Sequence, residues 1–335
     1  MDKSVKKRIA FCFPGQATHY PGMGKKVAHA HKEAMEFFEW ANELTGAPIS
    51  KLCFEGPEEE LVLTEFAQPS IHTTSLAILQ VLEKQYGLKA EVTGGYSLGQ
   101  YSALVYAKAL KFEQSVKVVK YRGFFMQTAV PVGTGKMVAL LGINAEDVEQ
   151  LVRDCEPAGH IQISNYSCPG ECIISGHNAS MDLAHKLAIE RGGKAIFIHV
   201  SAPFHTSLLI PAAKKLLVEL DKIDIRDPQI PYVDNVPGGY FIPGTDGVKL
   251  FLMTHVYKPV RWETSMYAML DQGINTFIEL GSRNFLTKVN KRCCIAKGKE
   301  DETLCLNVRD PEGIDNMLRV MEDPSLYNKE IQAPY

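Results

Sequence analysis

The stretch Gly94-Gly95-Tyr96-Ser97-Leu98-Gly99-Gln100 constrains this chain more than any other. A β-like run, Ala90 to Thr93, precedes it, and a run of helix formers, Tyr101 to Ala107, follows. A backbone that passes from strand to helix in so few residues turns sharply, and glycines at 95 and 99 leave room for that turn. The serine is driven to the tip of the turn with its hydroxyl toward a cleft. The next helix points its N-terminal N–H groups and the positive end of its dipole at the same place, where a developing oxyanion is stabilised. Gly-x-Ser-x-Gly in this setting reads as a nucleophile on an elbow; a plain glycine-rich turn with a solvent-facing serine is the other reading.

The remaining chain supplies a scaffold of alternating strands and helices. Arg8 to Phe13 reads as a short buried strand, broken by Pro14-Gly15-Gln16. A strand that ends this way can hold a backbone N–H over a site. Pro21-Gly22-Met23-Gly24 is a second break, before one helix to about Leu44. Glu58 to Tyr86 is mostly helical, and Phe112 to about Thr128 is a helix carrying Arg122 and Met126. Gly and Pro at 130–135 mark a boundary. From there to Val200 the order is strand, helix, strand, strand, helix, strand, the ferredoxin-like pattern. The expected division is 1–130 and 200–335 as two parts of one large α/β domain, with 131–199 inserted between them as a small domain. In the second part, Leu208 to Leu220, Val248 to Tyr257, Trp262 to Gln272 and a segment ending near Cys294 are expected helices. Gln229 to Asp234 and Asn275 to Leu280 are expected strands, and the tail from about Asp323 drapes on the surface.

Composition narrows the class. A formal net charge of −3 gives no reason to expect nucleic acid or an anionic membrane as partner. No window approaches a membrane span, and the apolar run Ile9 to Phe13 is too short for a signal peptide. The eight cysteines contain no C-x-x-C pair, which suits neither a zinc site nor a disulfide framework. They read as reduced thiols of a cytoplasmic protein. No metal is expected.

A serine nucleophile requires a base. Of the ten histidines, His205 stands at a strand-to-helix junction, as Ser97 does. A helix-capping or core histidine is the alternative. No Asp or Glu presents itself as the third member of a triad, so the simplest arrangement is a Ser–His dyad whose imidazole is oriented by a backbone group.

Seven motifs then occur in one order: Phe13-Pro14-Gly15-Gln16, Gly95-Tyr96-Ser97-Leu98-Gly99, Arg122 with Met126-Gln127, Asn165 with Pro169-Gly170, Phe204-His205, Pro259-Val260-Arg261-Trp262, and Gly281 with Phe285-Leu286-Thr287. In this the chain resembles the malonyl-CoA:acyl carrier protein transacylase family, including the discrete acyltransferases that serve polyketide synthases. The resemblance runs from about Arg8 to Val308. It implies a hydrolase-like parallel-sheet domain with a ferredoxin-like insertion. It implies that Ser97 takes a malonyl group from malonyl-CoA and passes it to the phosphopantetheine thiol of an acyl carrier protein. In this scheme His205 is base and then acid, and the N–H groups of Gln16 and Leu98 form the oxyanion hole. Arg122 holds the malonyl carboxylate, a match of guanidinium fork to carboxylate; apart from the resemblance it reads as a surface ion pair. Phe204, Asn165 and His255 join the substrate-binding set, with Phe204 favouring malonyl over methylmalonyl. No resident cofactor is implied.

Departures from the family pattern point to a specialised branch. The family usually has histidine where Tyr96 stands and glutamate where Gln100 stands. It has asparagine at Ser167, and a glutamine that helps orient the catalytic histidine at His255. Ala17-Thr18-His19 replaces a usual Gly-Ser-Gln, and Ser282-Arg283-Asn284 follows Gly281 in place of Pro-Gly. Competing readings are an acyl hydrolase or a transferase for another acyl group, and a non-catalytic docking protein. Arg122 argues against a hydrolase, and Ser97 with His205 against the docking protein. The cluster Lys288, Lys291, Arg292, Lys297, Lys299 is a docking face for an acidic carrier protein or CoA phosphates, or a solvated helix face.

Overall fold

Two sheets of unequal size organise the molecule. The computed structural model describes residues 6–131, 133–198, 200, 202–244 and 247–327. Strand β1 (Ile9–Phe13) is entirely buried and lies at the centre of the larger sheet. Helices α1 (Lys25–Ala30), α2 (Lys32–Thr45), α3 (Ile49–Glu55), α4 (Glu58–Leu61) and α5 (Thr64–Tyr86) follow it. Then come β2 (Val92–Gly95), α6 (Gly99–Tyr106) and α7 (Phe112–Gln127). The smaller unit is β3 (Gly135–Leu141), α8 (Ala145–Cys155), β4 (Ile161–Cys168), β5 (Glu171–His177), α9 (Asn178–Glu190) and β6 (Lys194–Ile198). The larger unit resumes with α10 (Ile210–Leu220), β7 (Tyr232–Asp234), β8 (Gly239–Tyr240), α11 (Gly247–Thr254), β9 (Val260–Arg261) and α12 (Trp262–Asp271). It closes with β10 (Thr276–Leu280), α13 (Phe285–Ala296), β11 (Leu304–Val308) and α14 (Pro311–Glu322).

The larger sheet runs β11-β10-β1-β2-β7-β8, parallel except for the β7–β8 hairpin at its edge. Strands buried on both faces read as near-continuous apolar runs, and Ile9-Ala10-Phe11-Cys12-Phe13 is such a run. One face packs Phe11, Phe13 and Ile278 under α2, α5, α6 and α7. The other packs Ala10, Cys12 and Phe277 under α12 and α13, with Trp262 at the centre. The smaller sheet runs β6-β3-β5-β4-β9. Its first four strands have the ferredoxin-like order and are antiparallel. The fifth, β9, comes from the large domain and pairs parallel with β4, Asn165 opposite Val260 and Tyr166 opposite Arg261.

The fold class is the one expected, and the differences from the sequence reading are local. The helix expected from Gly24 to Leu44 breaks at His31, whose backbone is extended (φ −134°, ψ 117°). No Gly or Pro there signals the break. Helices α3 and α14 and strands β8, β9 and β11 are elements beyond those expected, and β7 is shorter than the Gln229–Asp234 run. The last strand of the small unit was expected to reach Val200; residue 199 lies outside the described residues. The tail does not drape freely up to Tyr327. That ring is buried, and its hydroxyl bonds the Cys305 backbone N–H at 3.1 Å and carbonyl at 3.3 Å. Residues 328–335 lie outside the described residues. All eight cysteines are buried and free. No helix among the described residues is long and apolar enough to cross a membrane.

Candidate active site

The turn from β2 into α6 is as tight as its glycines imply. A Cβ on Gly95 would lie 1.9 Å from the Gly99 carbonyl carbon, and one on Gly99 would lie 2.0 Å from the Phe13 carbonyl oxygen. Only glycine lets these three backbones meet. Ser97, at the tip, has φ 53°, the left-handed region that L-residues rarely adopt. His205 does the same at φ 58°. Strain of this kind, of order 1–3 kcal/mol per residue, persists where surrounding bonds over-determine the conformation. At Ser97 one such bond is visible: its backbone N–H donates to Asn235 Oδ1 at 2.9 Å.

Ser97 Oγ lies 2.8 Å from His205 Nε2. On the other side of the ring, Nδ1 faces two carbonyl oxygens, His255 O at 2.8 Å and Lys258 O at 3.1 Å. Carbonyls only accept, so the bonding puts the proton on Nδ1 and leaves Nε2 as the acceptor for the Ser97 hydroxyl. Burial, and then the neighbouring Arg122 cation, push the His205 pKa down to about 3. The ring is therefore neutral at physiological pH, the state a base requires.

Arg122 approaches from α7. It is only 2% exposed, and its Nη2 lies 3.3 Å from Ser97 Oγ while Nη1 donates to Gln68 Oε1 at 2.8 Å. Among the described residues it has no carboxylate partner. Burial lowers its pKa, yet a guanidinium stays charged. A buried cation beside a serine hydroxyl, with no acid among the described residues to neutralise it, can receive an anionic ligand.

The loop of Gln16 packs directly on the elbow, since a Cβ on Gly15 would meet the Tyr96 carbonyl oxygen at 2.7 Å. The Gln16 side chain donates to Thr64 Oγ1 at 3.0 Å. Among the described residues, neither the Gln16 nor the Leu98 backbone N–H donates to another group. Phe204 is buried immediately before His205. Asn165 is buried on β4 and accepts from Ser164 Oγ at 2.7 Å. His255 stands behind His205, ring centroids 4.8 Å apart, and its side chain faces Gln100 Nε2 at 2.9 Å rather than an open cleft. Gln100 in turn accepts from Tyr232, which lies 3.3 Å from Asp234. Burial pushes that carboxyl up to about 6.

Two departures from the family pattern touch each other. The Tyr96 hydroxyl lies 2.8 Å from Ser167 Oγ, while the Tyr96 ring packs edge-on against Trp262 and Phe285. A longer side chain on the elbow meets a shorter one on β4. Gln68 and Asn235 were missed by the sequence reading. Each acts through one bond to a residue 54 or 138 positions away, a separation that leaves no local pattern. The basic cluster of α13 is largely engaged. Arg292 meets Glu171 at 2.5 Å, Lys297 meets Asp271 at 3.1 Å, Lys299 donates to the Leu270 carbonyl, and Lys291 lies over the Tyr327 ring. No cluster of metal-binding side chains occurs among the described residues.

Comparison with known proteins identifies the family. A family model described as acyl transferase domain matches residues 10–322. The malonyl CoA-acyl carrier protein transacylase of Bacillus subtilis (strain 168) is 41% identical over 308 residues, covering 90% of this chain and 96% of that protein. The crystal structure of malonyl CoA-acyl carrier protein transacylase from Clostridium perfringens ATCC 13124 superposes with a TM-score of 0.89 at 37% identity, covering 96% of this chain and 100% of that one. A type II PKS acyl-carrier protein in complex with its malonyl-transacylase provides a further match, with TM-score 0.87, 31% identity and coverage of 93% and 99%.

Proposed function

Since this chain belongs to the acyl transferase domain family, among the malonyl CoA-acyl carrier protein transacylases, we propose that it moves a malonyl group from CoA to the phosphopantetheine thiol of an acyl carrier protein through an acyl-serine. His205 Nε2 takes the Ser97 proton as Oγ attacks the thioester carbonyl. The N–H groups of Gln16 and Leu98 receive the oxyanion. Collapse breaks the C–S bond, and the departing CoA sulfur takes the proton from His205. In the second half the carrier thiol gives its proton to His205, attacks the malonyl-serine carbonyl and frees the Ser97 hydroxyl. The carbonyls of His255 and Lys258 keep Nδ1–H in place throughout, doing the orienting work of a triad carboxylate without its charge.

Arg122 has two roles in this scheme. Its guanidinium fork binds the malonyl carboxylate. Before binding, its charge disfavours a second cation on His205. The bound carboxylate neutralises that charge, so the imidazolium becomes accessible when a malonyl group is present. Phe204 and Asn165 line the acyl side, and the reaction requires no resident cofactor. A carrier-protein complex among the matching structures supports the choice of acceptor. The free buried thiols suit a reducing cytoplasm.

The observation that carries this reading is a buried arginine with no acid partner among the described residues, 3.3 Å from a serine hydroxyl that bonds a neutral histidine. The test is intact mass spectrometry with a panel of acyl-CoAs. Malonyl-CoA gives a covalent adduct that Ser97→Ala abolishes, and Arg122→Ala lowers the malonyl-to-acetyl ratio of kcat/KM by tens to hundreds of fold, as expected for a charged hydrogen bond of about 1.5–3 kcal/mol. A wild-type preference for acetyl or longer neutral chains, with release to water, overturns the assignment in favour of an acyl hydrolase.

A further inference from the structure

The helix that delivers Arg122 has an outward face with no part in the dyad. Lys117, Tyr121 and Phe124 recur at helical spacing along α7, on the side turned away from Arg122. Tyr121 and Phe124 are each 44% exposed. Phe125 joins them, stacked on Tyr121 with centroids 6.0 Å apart and edge-on to Phe124 at 5.9 Å. Helix α10 packs beside α7 and continues the surface. Its Ile210, Lys214 and Val218 share one stripe, Val218 being 55% exposed, and Lys215 Nζ lies 6.0 Å from the centre of the Phe125 ring.

This surface is apolar at its centre and cationic around it. Lys117, Lys214 and Lys215 have no ion-pair partner among the described residues. Acids on or beside these helices include Glu113, one turn before Lys117, Glu65, whose backbone packs against Gly123, and Glu219, which pairs with Lys222 at 2.8 Å. Exposed rings in a contiguous group mark an interaction site more often than a bare surface. The location matters as well. α7 is about 10 Å across, so the rings lie about one helix diameter from the Arg122 pocket, and α10 starts just beyond the turn that carries His205.

We propose that the α7/α10 face docks an acidic amphipathic helix of the carrier protein. The inference rests on the acyl-transfer reading above and adds where the acceptor sits. An apolar stripe flanked by carboxylates matches rings flanked by unpaired lysines, and a partner whose prosthetic thiol must reach Ser97 has to seat close to it. In the basic run of α13, the obvious alternative in the sequence, Arg292 and Lys297 are already held in ion pairs, whereas Lys117, Lys214 and Lys215 have none among the described residues.

The experiment separates the two half-reactions. Phe124→Ser and the double substitution Lys214→Glu, Lys215→Glu are made at exposed positions, with Lys288→Glu on α13 as control. Single-turnover malonylation of Ser97 by malonyl-CoA, transfer from malonyl-enzyme to holo acyl carrier protein, and transfer to free pantetheine are each timed. We expect the carrier-protein KM to rise about tenfold or more in both surface variants, as for a central interface residue. Malonylation and transfer to pantetheine stay within about twofold, and the control matches wild type. Added salt weakens carrier transfer less in the lysine variant than in wild type. Unchanged carrier transfer overturns the proposal, as does a parallel loss with pantetheine. Sedimentation showing that the variants break a dimer also overturns it and assigns the face to a second copy of the chain. A wild type that takes no malonyl group instead defeats the acyl-transfer reading; direct titration of holo carrier protein onto wild type and variants then decides the docking face separately.

Discussion

The pH dependence of acylation tests the electrostatics of the dyad directly. The perturbation is a drop from pH 8 to pH 5. With an ordinary imidazole pKa of about 6.5, only about 3% of His205 would be neutral at pH 5, and kcat/KM for Ser97 acylation would fall about 30-fold. Burial and Arg122 instead set the value at about 3, which leaves the ring almost wholly neutral at pH 5. The expected kcat/KM is therefore flat between the two. Malonyl-pantetheine, which carries no phosphate, is the suitable donor, read by quench-flow and intact mass, with circular dichroism confirming the fold at each pH. A second signature follows from the carboxylate. kcat/KM reports the free enzyme and kcat the bound complex. In the proposed scheme the malonyl carboxylate offsets the Arg122 charge, so the acid limb of kcat is expected at higher pH than that of kcat/KM. Arg122→Ala brings the two limbs together by raising that of kcat/KM, which still lies below 6.5 because burial is the larger cause. A wild-type kcat/KM that drops about 30-fold with a midpoint near 6.5 refutes the reasoning.

Other expectations concern single residues. Asn235→Ala leaves the Ser97 N–H without its acceptor, which costs about 1–3 kcal/mol for a buried donor; the melting temperature falls by several degrees, and acylation slows about 10²-fold as the elbow loosens. Calorimetry and single-turnover rates that both match wild type count against that role. His72, buried between Ser102 and Ser115 with both hydroxyls at 2.8 Å, is pushed down to about 3. The unfolded chain then binds the proton more readily, so its contribution is complete above about pH 6.5, falls by about 2 kcal/mol at pH 5 and continues to fall toward pH 3; urea titrations of wild type and His72→Gln at pH 7 and 5 detect this as a smaller pH loss in the variant. Phe204→Ser raises the methylmalonyl-to-malonyl ratio of kcat/KM by about tenfold or more, the value of a methyl group in an apolar pocket, and an unchanged ratio removes Phe204 from the specificity set.

Where chemistry is written in consecutive residues, the sequence was readable. Gly95 and Gly99 define the elbow because steric exclusion acts over four residues, and the ferredoxin-like unit was visible because its strand and helix periods alternate cleanly. His205 could be singled out by its junction, and His255 by resemblance as the orienting position, but not the pair of main-chain carbonyls that face the ring, since any residue supplies a carbonyl. Arg122 became legible only through resemblance; nothing in Tyr121-Arg122-Gly123 says that the chain folds this side chain inward and leaves its neighbours out. Tyr96 and Ser167 were each visible as departures, yet their contact arises from β4 lying against the elbow, which only the three-dimensional structure reveals. The break at His31 had no local signal, and packing of α1 and α2 in the core overrode a sequence that favours one helix.

Strand β9 has a consequence for anyone recombining this chain with a relative. Its two residues complete the smaller sheet but come from a later part of the chain, shortly after the carbonyls of His255 and Lys258 that face the His205 ring. A chimera cut at residues 131 and 199 would exchange β4 without the strand that pairs with it, and any mismatch at Asn165–Val260 or Tyr166–Arg261 would pass straight into the imidazole's anchor. The natural cassette is therefore discontinuous: the inserted unit and residues 255–262 travel together, or the graft inherits an imidazole that has lost its bearings.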